Sequence, residues 1–214
     1  MSSEAAAARR SLLGVVLAGG GSRRFGSPKA LASFGGEPLW QRAHRTLGVA
    51  GMPTLVLAND TEVRASIAQS ARVDVCGDLR PGLGPLAGIE TGLHAALEAG
   101  QAGILVLACD LVLVTPRMLV GLRSAWPAEG AAAFVTPGPW GVSPVCSVWA
   151  LDLLPTVSTA LDDGEGSPGR LLGAVPLTRL DPQTVAPHAD PARVFRSANT
   201  PAELRDLESI RVER

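Results

Sequence analysis

Apolar residues follow two rhythms along this chain. LGVVLA at 13–18, TLVLAN at 54–59, VDVC at 73–76 and ILVLAC at 104–109 are short branched runs that read as strands. The richest are apolar throughout, the pattern of parallel strands covered on both faces. Between them the spacing changes to threes and fours. EPLWQRAHRTL, from position 37, sets Leu39, Ala43 and Leu47 on one helical face, and GPLAGIETGLHAAL, from position 84, does so with Leu86, Ile89, Leu93 and Leu97. Strand–helix alternation predicts βαβ units and a mainly parallel sheet. Further strands are expected at 132–136 and 145–150, and a weaker one at 175–178. Neither an internal repeat nor a separating linker is seen, so one α/β domain over 12–214 is expected, preceded by an Ala-rich tail at 1–11.

This arrangement says where chemistry can sit, because open α/β sheets bind ligands beyond the carboxyl ends of their strands. Three polar segments fall there: residues 19–29 after the first strand, Asn59-Asp60 after the second and Asp110 after the fourth.

With 214 residues, 46% of them hydrophobic and 18% charged, the chain has the composition of a globular domain with a substantial core. A net charge of −1 gives no electrostatic case for nucleic acid or an anionic membrane, and no apolar run is long enough to span a bilayer. ARRSLLGVVLAGGG (8–21) superficially resembles a twin-arginine export signal, but no A-x-A site follows and 13–18 is needed as a strand. A cytoplasmic protein is expected. Cys76, Cys109 and Cys146 lie apart in apolar runs and read as small hydrophobes. His44, His94 and His188 have no metal-ligand spacing.

LAGGGSRRFGSPK (17–29) carries the only lysine, Lys29, beside eighteen arginines in the whole chain. Successive glycines after a strand let backbone N–H groups approach an anion. Two familiar loops fail. A Walker A motif needs Gly-Lys-Ser/Thr where this chain has Gly26, Ser27, Pro28 and Lys29, and G-x-G-x-x-G from Gly19 needs glycine at Arg24. What is left is a glycine cradle flanked by Arg23, Arg24 and Lys29, suited to a triphosphate. GEGSPG (164–169) misses the serine-nucleophile motif because Glu165 replaces its first glycine, and no Ser–His or Cys–His arrangement stands out. Thr200, Pro201 and Glu203 in NTPAEL form a capping box.

LAGGGSRRFGSPKAL resembles the nucleotidyltransferase signature LAGG-x-S-x-RMG-x-x-K. GGEPLW, GDLRPGLGPLAGIETGL (77–93), LACD (107–110) and SANTPAEL (197–204) follow in the family's order. Together they resemble the molybdenum cofactor guanylyltransferases, within the GT-A-like nucleotidyltransferase superfamily. The resemblance implies a three-layer α/β/α Rossmann-like domain. It also implies a reaction in which the terminal phosphate of molybdenum-bearing molybdopterin attacks the α-phosphorus of GTP and pyrophosphate leaves. GTP and molybdopterin are the implied substrates, with Mg²⁺ as cofactor. Cofactor-biosynthesis proteins and molybdoenzyme chaperones are implied partners.

By that resemblance, Leu17, Ala18, Gly19, Gly20, Gly21, Asn59, Asp78 and the turn through Gly84, Pro85, Leu86 and Gly88 contact the nucleotide. Arg24 and Lys29 meet its phosphates, and Asp110 holds Mg²⁺ as well as the nucleotide, making Arg24, Lys29 and Asp110 the catalytic set. Ser143, Pro144, Arg170 and Asn199 face molybdopterin. Phe25 stands where the signature has Met. Asp110-Leu111-Val112-Leu113 departs from the family's Asp-x-Pro, so a different loop is expected there. A cytidylyltransferase for the same cofactor would read LAAG and lack GPLAG. Another small-molecule phosphate nucleotidyltransferase, or a non-catalytic nucleotide-binding carrier, are the remaining alternatives.

Overall fold

The computed structural model describes residues 11–19, 25–70, 73–126, 133–136, 143–179, 181 and 191–212. Its frame is a seven-stranded sheet. The strands in chain order are β1 (Leu13–Leu17), β4 (Thr54–Leu57), β5 (Asp74–Cys76), β6 (Gly103–Ala108), β7 (Ala133–Thr136), β8 (Ser143–Ala150) and β9 (Leu177–Arg179). Two-residue strands β2 (Ser33–Phe34) and β3 (Glu37–Pro38) form a separate hairpin. In the large sheet the order is β5-β4-β1-β6-β8-β7-β9. Of these strands only β8 runs against the rest: β6 and β7 both pair with it antiparallel, and β9 follows β7 in parallel. The expected mainly parallel α/β sheet is what forms.

The helices are α1 (Leu39–Val49), α2 (Thr61–Ala68), α3 (Pro85–Glu98), α4 (Pro116–Ser124), α5 (Leu154–Asp162), α6 (Pro168–Leu171), α7 (Pro191–Val194) and α8 (Pro201–Val212). Side chains leave a strand on alternate faces, and β1 shows the result. Val16 joins a core with Leu39, Ala43 and Leu47 of α1, Val63 and Ile67 of α2, Leu119 of α4 and Leu207 of α8. Val15 and Leu17 join the opposite core with Ile89 and Leu93 of α3 and Val157 and Leu161 of α5. One sheet between two helical layers follows, which explains why LGVVL is buried at all five positions.

Both helices read from periodicity form, with one correction. Leu97 is 54% exposed, because the buried stripe of α3 drifts onto Ala96 in the last turn. Ser11 C=O accepts a bond from Ala102 N–H at 3.0 Å and Leu12 is buried; residues 1–10 of the expected tail lie outside the described residues. The hairpin β2–β3 was not foreseen. Its turn uses Gly35 and Gly36 at positive φ, and Gly35 N–H donates to Glu208 of α8 at 2.6 Å. Arg42 lies over the Phe34 ring at 5.0 Å.

Registers decide where the strand exits fall. Leu17 pairs with Leu57 on one side and Ala108 on the other, and Leu57 pairs with Cys76. The chain steps outward from β1 to β4 and β5, then crosses back to place β6 on the other side of β1. That reversal is the topological switch point, where a crevice opens at the carboxyl ends.

β8 carries a buried polar relay. Trp149 Nε1–H donates to Ser147 Oγ at 2.8 Å, and Ser147 Oγ–H donates to Pro144 C=O at 2.6 Å, with Ser147 and Trp149 fully enclosed. Ser147→Ala strands the indole N–H in an apolar core, and a buried unsatisfied donor costs about 1–3 kcal/mol. Chemical denaturation of the variant is expected to show a loss of that order, and a wild-type midpoint would contradict the relay.

Candidate active site at the strand exits

A cavity of about 610 Å³ opens at the switch point. Its walls come from every strand exit on that side: Leu17, Ala18 and Gly19 after β1, Asn59 and Asp60 after β4, Asp78 after β5, and Cys109 and Asp110 after β6. Pro28, Lys29 and Ala30 close one side, Gly82, Gly84, Pro85 and Gly88 another, and Val145 and Ser197 complete it.

The centre of charge is an ion pair. Lys29 begins a 3-10 turn (Lys29–Leu31), and its Nζ lies 2.5 Å from Asp110 Oδ2. Both side chains are mostly enclosed, at 19% and 15% exposure. Asp110 Oδ1 is buried with no hydrogen-bond partner among the described residues. An oriented carboxylate oxygen left open in this way suits a hard cation. No group of three or more His, Cys, Asp or Glu gathers among the described residues. The donor set therefore fits a metal that takes one carboxylate from protein and the rest from phosphate and water, as Mg²⁺ does, rather than a protein cage. The altered residues after Asp110 turn inward: Leu111, Val112 and Val114 are buried, and Val112 C=O accepts from Arg42 Nε–H at 2.7 Å. The loop is thus anchored without the family's proline.

Opposite this pair, Asn59 and Asp78 lock together. Asn59 Nδ2 donates to Asp78 Oδ2 at 2.6 Å, and Asp78 N–H donates to Asn59 Oδ1 at 2.8 Å. Burial pushes the Asp78 carboxyl above its ordinary range, with the Asn59 bond pulling back. Behind them α3 presses against β1. A Cβ on Gly88 would lie 2.7 Å from Leu17 Cδ2 and 3.5 Å from Asp78 Oδ1, so any larger residue would have to push the Leu17 side chain aside.

The expected residues separate clearly. Leu17, Ala18, Gly19, Lys29, Asn59, Asp78, Gly84, Pro85, Gly88 and Asp110 all line the cavity. Leu17 C=O accepts from Cys109 N–H and Ala18 N–H donates to Leu57 C=O, so those backbone groups are already engaged. Leu86 is fully buried beneath the wall, with its N–H bonded to Gly166 C=O at 3.2 Å. Gly20, Gly21 and Arg24 lie outside the described residues.

The expected molybdopterin set is not brought to the cavity. Ser143 is buried at the start of β8, and Pro144 C=O serves the relay to Ser147. Arg170 is 79% exposed and pairs with Glu165 at 3.3 Å. Asn199 is exposed, its N–H donating to Glu203 Oε2 at 2.7 Å as the reach-back half of the capping box, with Glu203 N–H donating to Thr200 Oγ1 at 3.2 Å. The cavity is met instead by Val145, next to Pro144, and by Ser197, two residues before Asn199. Ala198 N–H donates to Asp110 C=O at 3.1 Å and so brings Ser197 to the rim. Nothing in local composition marks Ser197; only its place in SANTPAEL hints at it.

Among the described residues of the cavity no Ser–His or Cys–His pair forms a covalent catalyst. Cys109 is the thiol nearest the ion pair, and burial pushes it up to about 12, which keeps it protonated and inert. Sites that offer charge to phosphates but no nucleophile of their own belong to phosphoryl- and nucleotidyl-transfer enzymes. Residues 14–179 match the MobA-like NTP transferase domain, and the chain belongs to that family and is a nucleotidyltransferase. Such enzymes use a nucleoside triphosphate and typically a divalent metal.

Relatives agree over most of the chain. It is 37% identical over 164 residues to a protein of Opitutus terrae named "Probable molybdenum cofactor guanylyltransferase", covering 77% of this chain and 79% of that one. It is 32% identical over 195 residues to the molybdenum cofactor guanylyltransferase of Pseudomonas putida, covering 90% and 95%. The fold matches the crystal structure of molybdopterin-guanine dinucleotide biosynthesis protein A from Archaeoglobus fulgidus with a TM-score of 0.79 at 20% identity, covering 95% of this chain and all of that one. Among the described residues no helix is long and apolar enough to cross a membrane.

The Asn59–Asp78 lock has a measurable consequence. Because burial favours the protonated Asp78, its contribution to stability is fully present below the ordinary value of 3.8 and is lost as pH rises through the raised value. Asn59→Ala removes the bond that favours the carboxylate. Carboxyl ¹³C NMR titration is expected to place Asp78 higher in the variant than in wild type, and an equal or lower value would refute the lock.

Proposed function

We propose that this chain transfers the guanylyl group of GTP to the terminal phosphate of molybdenum-bearing molybdopterin, in the cytoplasm, with Mg²⁺. The observation that carries the reading is the enclosed Lys29–Asp110 pair, its Oδ1 unpartnered among the described residues, in the lining of a glycine-walled cavity. The names of the relatives supply the substrate pair.

In this reaction an oxygen of the molybdopterin phosphate bonds to the α-phosphorus of GTP. The bond from that phosphorus to the bridging α–β oxygen breaks, and pyrophosphate carries away the electron pair. Such transfers need positioning and charge neutralisation more than a protein base. Lys29 offers an ammonium to the triphosphate, and by the family signature Arg24, Gly20 and Gly21 are assigned to the same phosphates. Asn59 and Asp78 hold the nucleoside end together with the Gly84–Gly88 turn. Asp110, through its open oxygen, is the residue that would hold Mg²⁺. When bound, that ion would withdraw charge from the reacting phosphates. The apolar walls of Leu17, Val145 and Ala108 exclude water that would otherwise hydrolyse GTP.

The test follows pyrophosphate release with molybdenum-bearing molybdopterin and Mg²⁺, comparing GTP, CTP and ATP. GTP is expected to be preferred, and a CTP preference would move the chain to the cytidylyltransferases. Lys29→Ala is expected to lower turnover roughly 10²–10³-fold, the scale of removing one group that stabilises transition-state charge, with the fold retained by circular dichroism. Asp110→Asn is expected to demand far more Mg²⁺, and full activity at ordinary Mg²⁺ would take it out of the metal site.

A further inference from the structure

The loop between β5 and α3 forms the nucleoside side of the cavity, yet Gly82, Gly84 and Pro85 are exposed, and Gly82 and Gly84 have no side chain with which to anchor it. The rigidity comes from below. Glu90, one turn into α3, is 2% exposed, an unusual place for a carboxylate. Ser158 of α5 donates to its Oε1 at 2.7 Å, and Arg80 of the loop sets its Nε 3.1 Å from Oε2. Arg80 Nη1 also pairs with Asp162, four residues after Ser158 on the same face of α5. One guanidinium therefore ties the loop to two helices at once.

A second tie lies at the far end of the same loop. Gly166, just beyond α5, accepts from Leu86 N–H at 3.2 Å. Its backbone is so close that a Cβ on Gly84 would lie 2.9 Å from Gly166 C=O, and one on Gly166 would lie 2.2 Å from Leu83 C=O. This accounts for GEGSPG as a buttress. The loop is pinned at Arg80 by charge and at Gly84–Leu86 by backbone, and the cavity-lining residues lie beside or between the pins.

We propose that Glu90 is a positioning residue for nucleotide binding: it holds Arg80 and, through Arg80, the conformation of the 78–84 loop that faces the nucleoside. Glu90 touches no substrate. Without the Glu90 carboxylate Arg80 keeps only the exposed Asp162 partner, so the loop loses its buried tie to α3 and its charge anchor is weakened. The ordering then has to be supplied on binding, which weakens affinity for the ligand the loop contacts. The phosphate end of the cavity, on Lys29 and Asp110, is independent of this network.

The proposal rests on the nucleotidyl-transfer reading, and its test separates the two. Wild type, Glu90→Gln and Arg80→Ala are titrated by calorimetry with GTP, CTP and inorganic tripolyphosphate, and steady-state kinetics are run with the preferred nucleotide. Glutamine keeps the shape and the Ser158 bond, and Arg80 is partly solvent-facing, so Arg80→Ala serves if Glu90→Gln fails to fold. Nucleotide Kd and KM are expected to rise about 5–20-fold in each variant, with kcat within about twofold and tripolyphosphate affinity unchanged. The double variant is expected to be no weaker than Arg80→Ala, because the glutamine change removes a linkage that the loss of Arg80 has already cut. Wild-type nucleotide affinity in a folded variant, or parallel loss of tripolyphosphate binding, overturns the positioning role. A wild-type protein that prefers another nucleotide overturns the guanylyl reading instead, while the same variants still report on Glu90 with that nucleotide.

Discussion

Everything at the site depends on one pairing: β1 and β6, ninety residues apart in sequence, lie side by side in parallel with Leu17 opposite Ala108. A parallel pair needs a crossover, and here the chain builds β4, α2, β5 and α3 before it returns. Parallel exits point the same way, so each turn that leaves them is delivered to one crevice. Lys29 and Asp110 meet because of that register. A slip of one residue in β6 would turn the face of each of its side chains. Val106 and Leu107 would exchange cores, and the carboxylate would leave the cavity. The two apolar cores that fix the register are therefore part of the site.

The elements with strong apolar rhythm were legible in the sequence: β1, β4, β6, α1 and α3 form close to where the pattern puts them. Their burial is uniform or one-sided, and periodicity reports little else. The hairpin β2–β3 was not legible, because two-residue strands have no period, and it owes its place to Glu208 of the distant α8 and to Arg42 of the adjoining α1. Leu97 failed because a helix that continues past its support keeps the pattern without the burial.

Site residues divide along the same line. Lys29, Asp78, Asp110 and the Gly84–Gly88 turn follow directly from strand exits and helix starts, so topology carried them to the cavity. Asn199 and Arg170 sit on segments that reach the site only through tertiary docking. There a one- or two-residue offset is invisible, and Ser197 rather than Asn199 meets the cavity. Glu90 was unreadable for a different reason. Within ETGLHAAL it looks like a solvent-side helix residue, and only the approach of α5 and Arg80 encloses it.

The lone lysine is explained by the carboxylate it meets. An arginine at 29 would present a planar fork, and forks bind carboxylates through both oxygens. Such a pairing would cover Asp110 Oδ1, the oxygen that is open here. A compact ammonium binds Oδ2, at 2.5 Å, and leaves the second oxygen without a hydrogen-bond partner among the described residues. Its flexible stem also lets the charge move from the carboxylate to an incoming phosphate, whereas a bidentate pair resists that exchange. In a chain that uses arginine at every other basic position, this geometry gives a physical reason for the one exception.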